Sequence, residues 1–291
     1  MADESTRFDH LDGVARLAAM ATLRSRIIVN LIVALAVVLS WAALAAMAVG
    51  TAQLALPAES GPGDALLHWL PDLPMPSWAG RFFALCLTPV AASGGLGFLF
   101  IWLMWTLMAI AMMLPSAVPM IRTYCEIADT ARAKGEAAVH PLILVAGYLT
   151  VWIGASAAFA GVSLAVQSRA GAPVAGYAAV ASLGIAGLYQ FTGLKEACLR
   201  KCRNPFAILF SRWSSRTSRI FRLGMEQGVW CLGCCWALML VMFAVGTMNI
   251  FWMALIGLFT VVEKQTPGRF ATRLAGAILL VWATALLVVS R

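Results

Sequence analysis

Long apolar runs, nearly free of charge, recur along the chain and are separated by short polar segments. A hydrocarbon core about 30 Å thick needs roughly 20 helical residues at a rise of 1.5 Å each. Seven segments read as spans on that basis: 27–49, about 97–121, about 141–167, about 174–194, about 227–246, 248–263 and 271–290. The third starts at Pro141, where a missing N–H does no harm in the first helical turn. The fifth and sixth form a tight hairpin that turns near Gly246 and Thr247. Residues 82–96 are apolar but broken by Pro89 and the pair Gly94-Gly95, so they read as an interfacial or re-entrant lead into the second span. The pattern predicts an all-α, polytopic transmembrane helical bundle.

Composition agrees with the pattern. At 62% hydrophobic and 12% charged, with a mean hydropathy of +0.85, the chain carries more apolar side chain than one water-soluble core of 291 residues could bury. The leader before the first apolar run holds Asp3, Glu4, Asp9 and Asp12, which is long and acidic for a cleaved signal peptide, so the run reads as an anchor. Residues 1–26 then form a cytosolic tail, and 27–291 one membrane domain with an outer loop at 50–80 and a basic inner loop at 195–226.

Basic residues set the orientation, because cytoplasmic loops retain Lys and Arg. With the amino terminus inside, 18 of the 21 basic residues fall on the inner side, leaving Arg81, Arg169 and Arg291 outside. The expected location is the bacterial inner membrane. The net charge of +8 follows from this topology and from anionic headgroups, so nucleic acid is not needed to explain it. The stretch FSRWSSRTSRIFRL, 210–223, alternates bases with aromatics as a surface-lying helix would. In the outer loop, Trp69 and Trp78 suit the interface, and His68 beside them lacks the further donors a metal site needs.

The chemistry of the chain lies in its sulfur. Six of its seven cysteines fall at the inner end of the predicted bundle: Cys125, Cys198, Cys202, Cys231, Cys234 and Cys235. The cytosol keeps thiols reduced, which disfavours a disulfide framework. Cys198 and Cys202 are four residues apart, as are Cys231 and Cys235, with Cys234 three from Cys231; on helices each set shares a face. Two thiol sets on neighbouring segments could therefore meet. Soft thiolate and thioether donors select Cu(I), with zinc as the alternative ion for a Cys-rich site. Lys195, Arg200, Lys201 and Arg203 lie near enough in sequence to favour thiolates.

Thioethers form a second donor set. Met104, Met108 and Met112 make one stripe on the second span, and the hairpin adds Met248 and Met253. Asn249, Met253, Thr260 and Glu263 project onto one face of the sixth span, and polar groups within a membrane face the interior or a pathway. Glu263 could balance charge or take a proton released from a thiol. Packing offers a plainer account of both sets, since Cys and Met are adaptable core fillers.

Three ordered blocks, MWTLMAIAMMLPSAVP (104–119), YQFTGLKEACLRKCRNP (189–205) and GVWCLGCCWALMLVMFAVGTMNIFWMALIGLFTVVEK (228–264), resemble a bacterial family of predicted metal-binding integral membrane proteins. Automatic naming sometimes calls that family copper chaperones. Gly193 stands where the family pattern leads one to expect Pro. The resemblance implies copper handling. The inner donors would be Cys198, Cys202, Cys231, Cys234 and Cys235, and the transient ones Met104, Met108, Met112, Met248 and Met253. A partner copper chaperone or apo-metalloenzyme would give or take the ion.

Two rivals use the same residues. Cys231-x-x-Cys234 is the spacing of a thiol–disulfide oxidoreductase, although no thioredoxin-like βαβ pattern accompanies it. A scaffold subunit without metal would explain the Gly, Ala and Met content by close helix packing. No nucleophile–base pair or paired carboxylates suggest a hydrolase, so the expectation is a protein that is not an enzyme.

Overall fold

The computed structural model describes residues 13–54, 95–168, 172–247 and 249–289. Residues 55–94, which include Cys86, most of the expected outer loop and all but the last two residues of the segment 82–96, lie outside them, as does Met248. Among the described residues ten helices follow in chain order: α1 Gly13–Leu54, α2 Gly95–Ala133, α3 Pro141–Ser168, α4 Ala172–Tyr189, α5 Gly193–Arg203, α6 Pro205–Ser211, α7 Thr217–Leu240, α8 Met242–Val245, α9 Ile250–Gln265 and α10 Phe270–Val289. They pack as an all-α membrane helical bundle. Large apolar side chains such as Leu31, Val38, Leu258 and Val281 stand exposed on its outside, as lipid contact requires.

The seven expected spans separate into two classes. Among the described residues five helical stretches are long and apolar enough to cross a membrane: Arg26–Ala48, Gly97–Ala133, Pro141–Val166, Thr217–Val245 and Phe270–Val289. The fourth expected span contributes only the shorter apolar stretch Gly176–Tyr189, and the sixth is the 16-residue α9. Both are cut short by local chemistry. Thr192 caps α5 by accepting from the Lys195 N–H, which ends the preceding helix at Tyr189. Gly246 turns the hairpin with φ of +94°, and the Asn249 side chain accepts from the Trp252 N–H to start α9.

The basic stretch 210–223 is also divided. Its first residues end α6, and from Thr217 it becomes the opening turns of α7, continuous with the cysteine-bearing run. Ile220 and Leu223 are buried while Arg219 and Arg222 face out, so an amphipathic start passes into an apolar helix with no breaker between.

The crossing of α3 with α7 fixes the centre of the bundle. A Cβ added to Gly147 would stand 2.1 Å from the Phe221 carbonyl oxygen, and one on Gly224 would stand 2.1 Å from the Leu144 oxygen. Gly228, one turn on, faces the Tyr148 carbonyl less tightly, where a Cβ would be 2.9 Å away. Gly224 and Gly228 thus form a small-residue pair at the spacing that lets membrane helices touch backbone to backbone.

Two prolines shape α2 at the same depth. Pro115 offers no N–H to the Ala111 carbonyl, and the Trp41 indole of α1 donates to that oxygen instead, at 3.2 Å. Here a broken helical hydrogen bond becomes an interhelical one. Near one end, Arg26 of α1 pairs with Asp129 of α2, which Arg132 also contacts at 3.0 Å.

Candidate metal centre

The α3–α7 crossing carries Tyr148 and Cys231 into contact. Tyr148 follows Gly147 in sequence and Cys231 lies three residues after Gly228, so the glycine contacts bring the Tyr148 hydroxyl within 3.0 Å of the Cys231 sulfur. The same hydroxyl donates to the Met113 carbonyl of α2 at 3.1 Å.

Around that point α7 presents its three thiols inward. The sulfurs of Cys231, Cys234 and Cys235 all lie within 4.8 Å of one another, and Cys234 and Cys235 are 3.2 Å apart. All three residues are 2% exposed or less. This is the only group of three or more Cys, His, Asp or Glu with metal-ligand proximity among the described residues.

The second thiol set arrives on α5. Gly193 occupies the first helical position, where Gly or Pro is equally free of an N–H obligation, so Cys198 and Cys202 do share one helical face. The Cys202 sulfur lies 3.9 Å from that of Cys234. Cys198 packs against bare backbone: a Cβ at Gly233 would stand 2.6 Å from its sulfur. The glycine within CLGCC is thus the seat on which α5 docks. Tyr189, at the end of α4, donates to the Gly233 carbonyl and closes the same corner. Burial pushes the Cys198 thiol above its ordinary pKa, whereas Cys202 is partly exposed.

A cation completes the cluster. Lys264, near the end of α9, places its ammonium 3.0 Å from the Cys231 sulfur and 2.7 Å from the Ser116 hydroxyl of α2. By sequence Lys264 is one of the inner-side basic residues, one position beyond the expected span 248–263. Its signal was its place on an otherwise apolar helix, since an ionisable residue within a membrane marks a site by default. Tyr148 and Ser116 gave no comparable signal, because hydroxyls in apolar helices commonly bond to their own backbone.

The other expected participants are placed as follows. Met104, Met108, Met112 and Met253 are buried in the core, with Met112 packed on Gly257 of α9. The hydrogen-bonding neighbours of the clustered sulfurs among the described residues are Tyr148, Lys264 and other cysteines. Asn249 caps α9, and Met248 lies outside the described residues. Glu263 pairs with Lys195 at 3.0 Å in a bridge with both side chains buried, and its backbone carbonyl accepts from the Arg203 guanidinium. Lys195 and Arg203, expected beside the thiols, are therefore engaged with Glu263, and Lys264 supplies the charge at sulfur. Cys125 is buried on α2 and takes no part in these sulfur contacts.

The donors fit a soft metal ion. A metal–sulfur bond of about 2.3 Å sets neighbouring sulfurs about 3.7–4.0 Å apart in a trigonal or tetrahedral shell. The Cys202–Cys234 separation falls in that range, and the three α7 sulfurs lie within 4.8 Å of one another.

A family model described as PpoB2, copper chaperone, matches residues 102–286, well over half of the chain. The chain belongs to the PpoB2 copper-chaperone family. The match covers every helix that contributes to the cluster, from α2 to α9, and most of α10. No curated protein and no solved structure matches the chain. Membership and the buried cysteine group together support a metal-handling role.

Proposed function

We propose that this chain binds Cu(I) at Cys202, Cys231, Cys234 and Cys235 and passes it to a protein partner carrying soft donors of its own. The observation that carries this reading is the meeting of sulfurs from two helices, 3.9 Å apart at Cys202 and Cys234, beside a buried ammonium. Sulfur donors from several positions, with no carboxylate in the cluster among the described residues, favour a soft monovalent ion over hard cations.

Charge supports the same choice. Cu(I) held by two of these four cysteines as thiolates, the other two remaining protonated, releases two protons and carries a charge of −1, which Lys264 offsets without leaving net charge in the core. The partly exposed Cys202 is the first donor an incoming ligand can reach, and Cys198 beside it is the next along the same face. Transfer then proceeds by ligand exchange, one sulfur at a time, with no change in oxidation state. The near-complete burial of Cys231 and Cys234 weighs against direct exchange with a protein disulfide, which needs an accessible attacking thiolate.

Copper analysis of the full-length protein, purified in detergent and loaded with Cu(I) under reducing conditions, tests the reading. Stoichiometric copper in the wild type and its loss in Cys231→Ser/Cys234→Ser is the expected result. Equal copper in both proteins would overturn it.

A further inference from the structure

Away from the thiols, a cleft of about 340 Å³ opens between the end of α4, the outer face of α5 and the start of α10. It is lined by three guanidinium groups, Arg203, Arg269 and Arg273, against one carboxylate, Glu196. Arg269 pairs with Glu196, and Arg203 donates to the carbonyls of Glu263 and Gly268. Arg273 is exposed, and its side chain has no partner among the described residues. The cleft therefore keeps two positive charges in excess.

Its wall holds a second, independent feature. Gln190 is 3% exposed, yet neither its amide nitrogen nor its amide oxygen has a hydrogen-bond partner among the described residues. The hydroxyl of Thr272, at 7% exposed, likewise has no partner among the described residues. Buried polar groups without partners are rare and costly, and two of them lining one cationic cleft point to a ligand that supplies the missing bonds.

We infer that this cleft binds a phosphate group. Its donors, the Gln190 amide, the Thr272 hydroxyl and the Arg273 guanidinium, come from the turn after α4 and the first turn of α10 and suit an acceptor with several oxygens around one centre. The excess positive charge selects an anion. Phe191, half-exposed beside the cleft, gives the site an apolar flank of the kind an acyl chain occupies. Basic pockets between membrane helices bind phospholipid headgroups by this chemistry. A free phosphate would use the same donors. The inference is independent of copper, since none of these groups touches the thiol cluster.

Delipidated full-length protein in neutral detergent provides the test, with native mass spectrometry and melting temperature as readouts. The probes are phosphatidylglycerol, diacylglycerol as a lipid lacking phosphate, and inorganic phosphate. Phosphatidylglycerol is expected to be retained in preference to diacylglycerol, and its affinity to fall about tenfold in Arg273→Gln, for loss of one charge-assisted hydrogen bond. Thr272→Val, nearly isosteric, should weaken it in the same direction. Stabilisation by inorganic phosphate that is lost in both variants would support the site with a free phosphate as occupant. Equal retention of the two lipids with no effect of inorganic phosphate, or variants that bind as the wild type does, would overturn the inference.

Discussion

The Lys264 ammonium lies 3.0 Å from the Cys231 sulfur, both buried where α2, α3, α7 and α9 meet. A buried cation needs a counter-charge, and an anionic metal–thiolate complex needs a cation, so the two positions serve one electrostatic end. Lys264→Gln keeps a donor and removes the charge. Cu(I) affinity, measured by competition with a Cu(I) chelator, is expected to fall about a hundredfold, on the scale of about 3 kcal/mol for leaving a buried ion unpaired. Unchanged affinity would mean that the lysine serves packing alone.

The Lys195–Glu263 bridge makes a separate prediction about folding. Both side chains are buried, and the second carboxylate oxygen of Glu263 has no partner among the described residues, so the ion depends on its one bridge. Lys195→Met should destabilise the protein by about 3–5 kcal/mol. Adding Glu263→Gln should recover much of that loss. Thermal melting in detergent of the single and double variants checks it; additive losses would deny the coupling.

Glycine substitutions should separate the fold from the site. Gly224→Ala places a Cβ 2.1 Å from a backbone oxygen that cannot swing away, so the α3–α7 crossing must open and the melting temperature should drop sharply. Gly154→Ala, with nothing within 4 Å, is the matched control and should melt as the wild type does. Gly233→Ala meets only the Cys198 side chain, 2.6 Å from a Cβ there. It should keep the fold and lower copper retention by pushing α5 off α7.

Thiol alkylation should follow exposure and charge. Cys202, partly exposed, is expected to react first, with Cys231, Cys234 and Cys235 protected, and Cu(I) loading should slow Cys202. Cys198 should lag at neutral pH, because burial raises its pKa and keeps it as the unreactive thiol. Its rate should climb only as pH passes above the range of a free cysteine. Mass spectrometry of iodoacetamide-labelled peptides over a pH series reads all five; rapid neutral-pH labelling of Cys235 would contradict the packing.

Much of the candidate site was legible in the sequence for a specific reason. Cys231, Cys234 and Cys235 share a helical face by spacing alone, and Cys198 and Cys202 do so once Thr192 and Gly193 start a helix before them. The apolar runs likewise gave the helical bundle. Lys264 escaped because its charge looked like the ordinary end of a span, and a count of basic residues does not say whether a lysine turns outward to headgroups or inward to sulfur. The basic stretch 210–223 divided differently because α6 and α7 are set by tertiary burial of Ile220 and Leu223, which its alternation of bases and aromatics could not distinguish from lipid contact.

The sequence by itself determined the helices, their membrane character and which thiols line up on each, because these follow from periodicity, length and local capping. Only the tertiary structure decided that α5 seats on Gly233, that the α3–α7 backbone contact carries Tyr148 to Cys231, and that Lys264 rather than Glu263 faces the sulfurs. Those choices depend on distances between segments far apart in the chain, and the absence of a Cβ at a few glycines sets them to within an ångström.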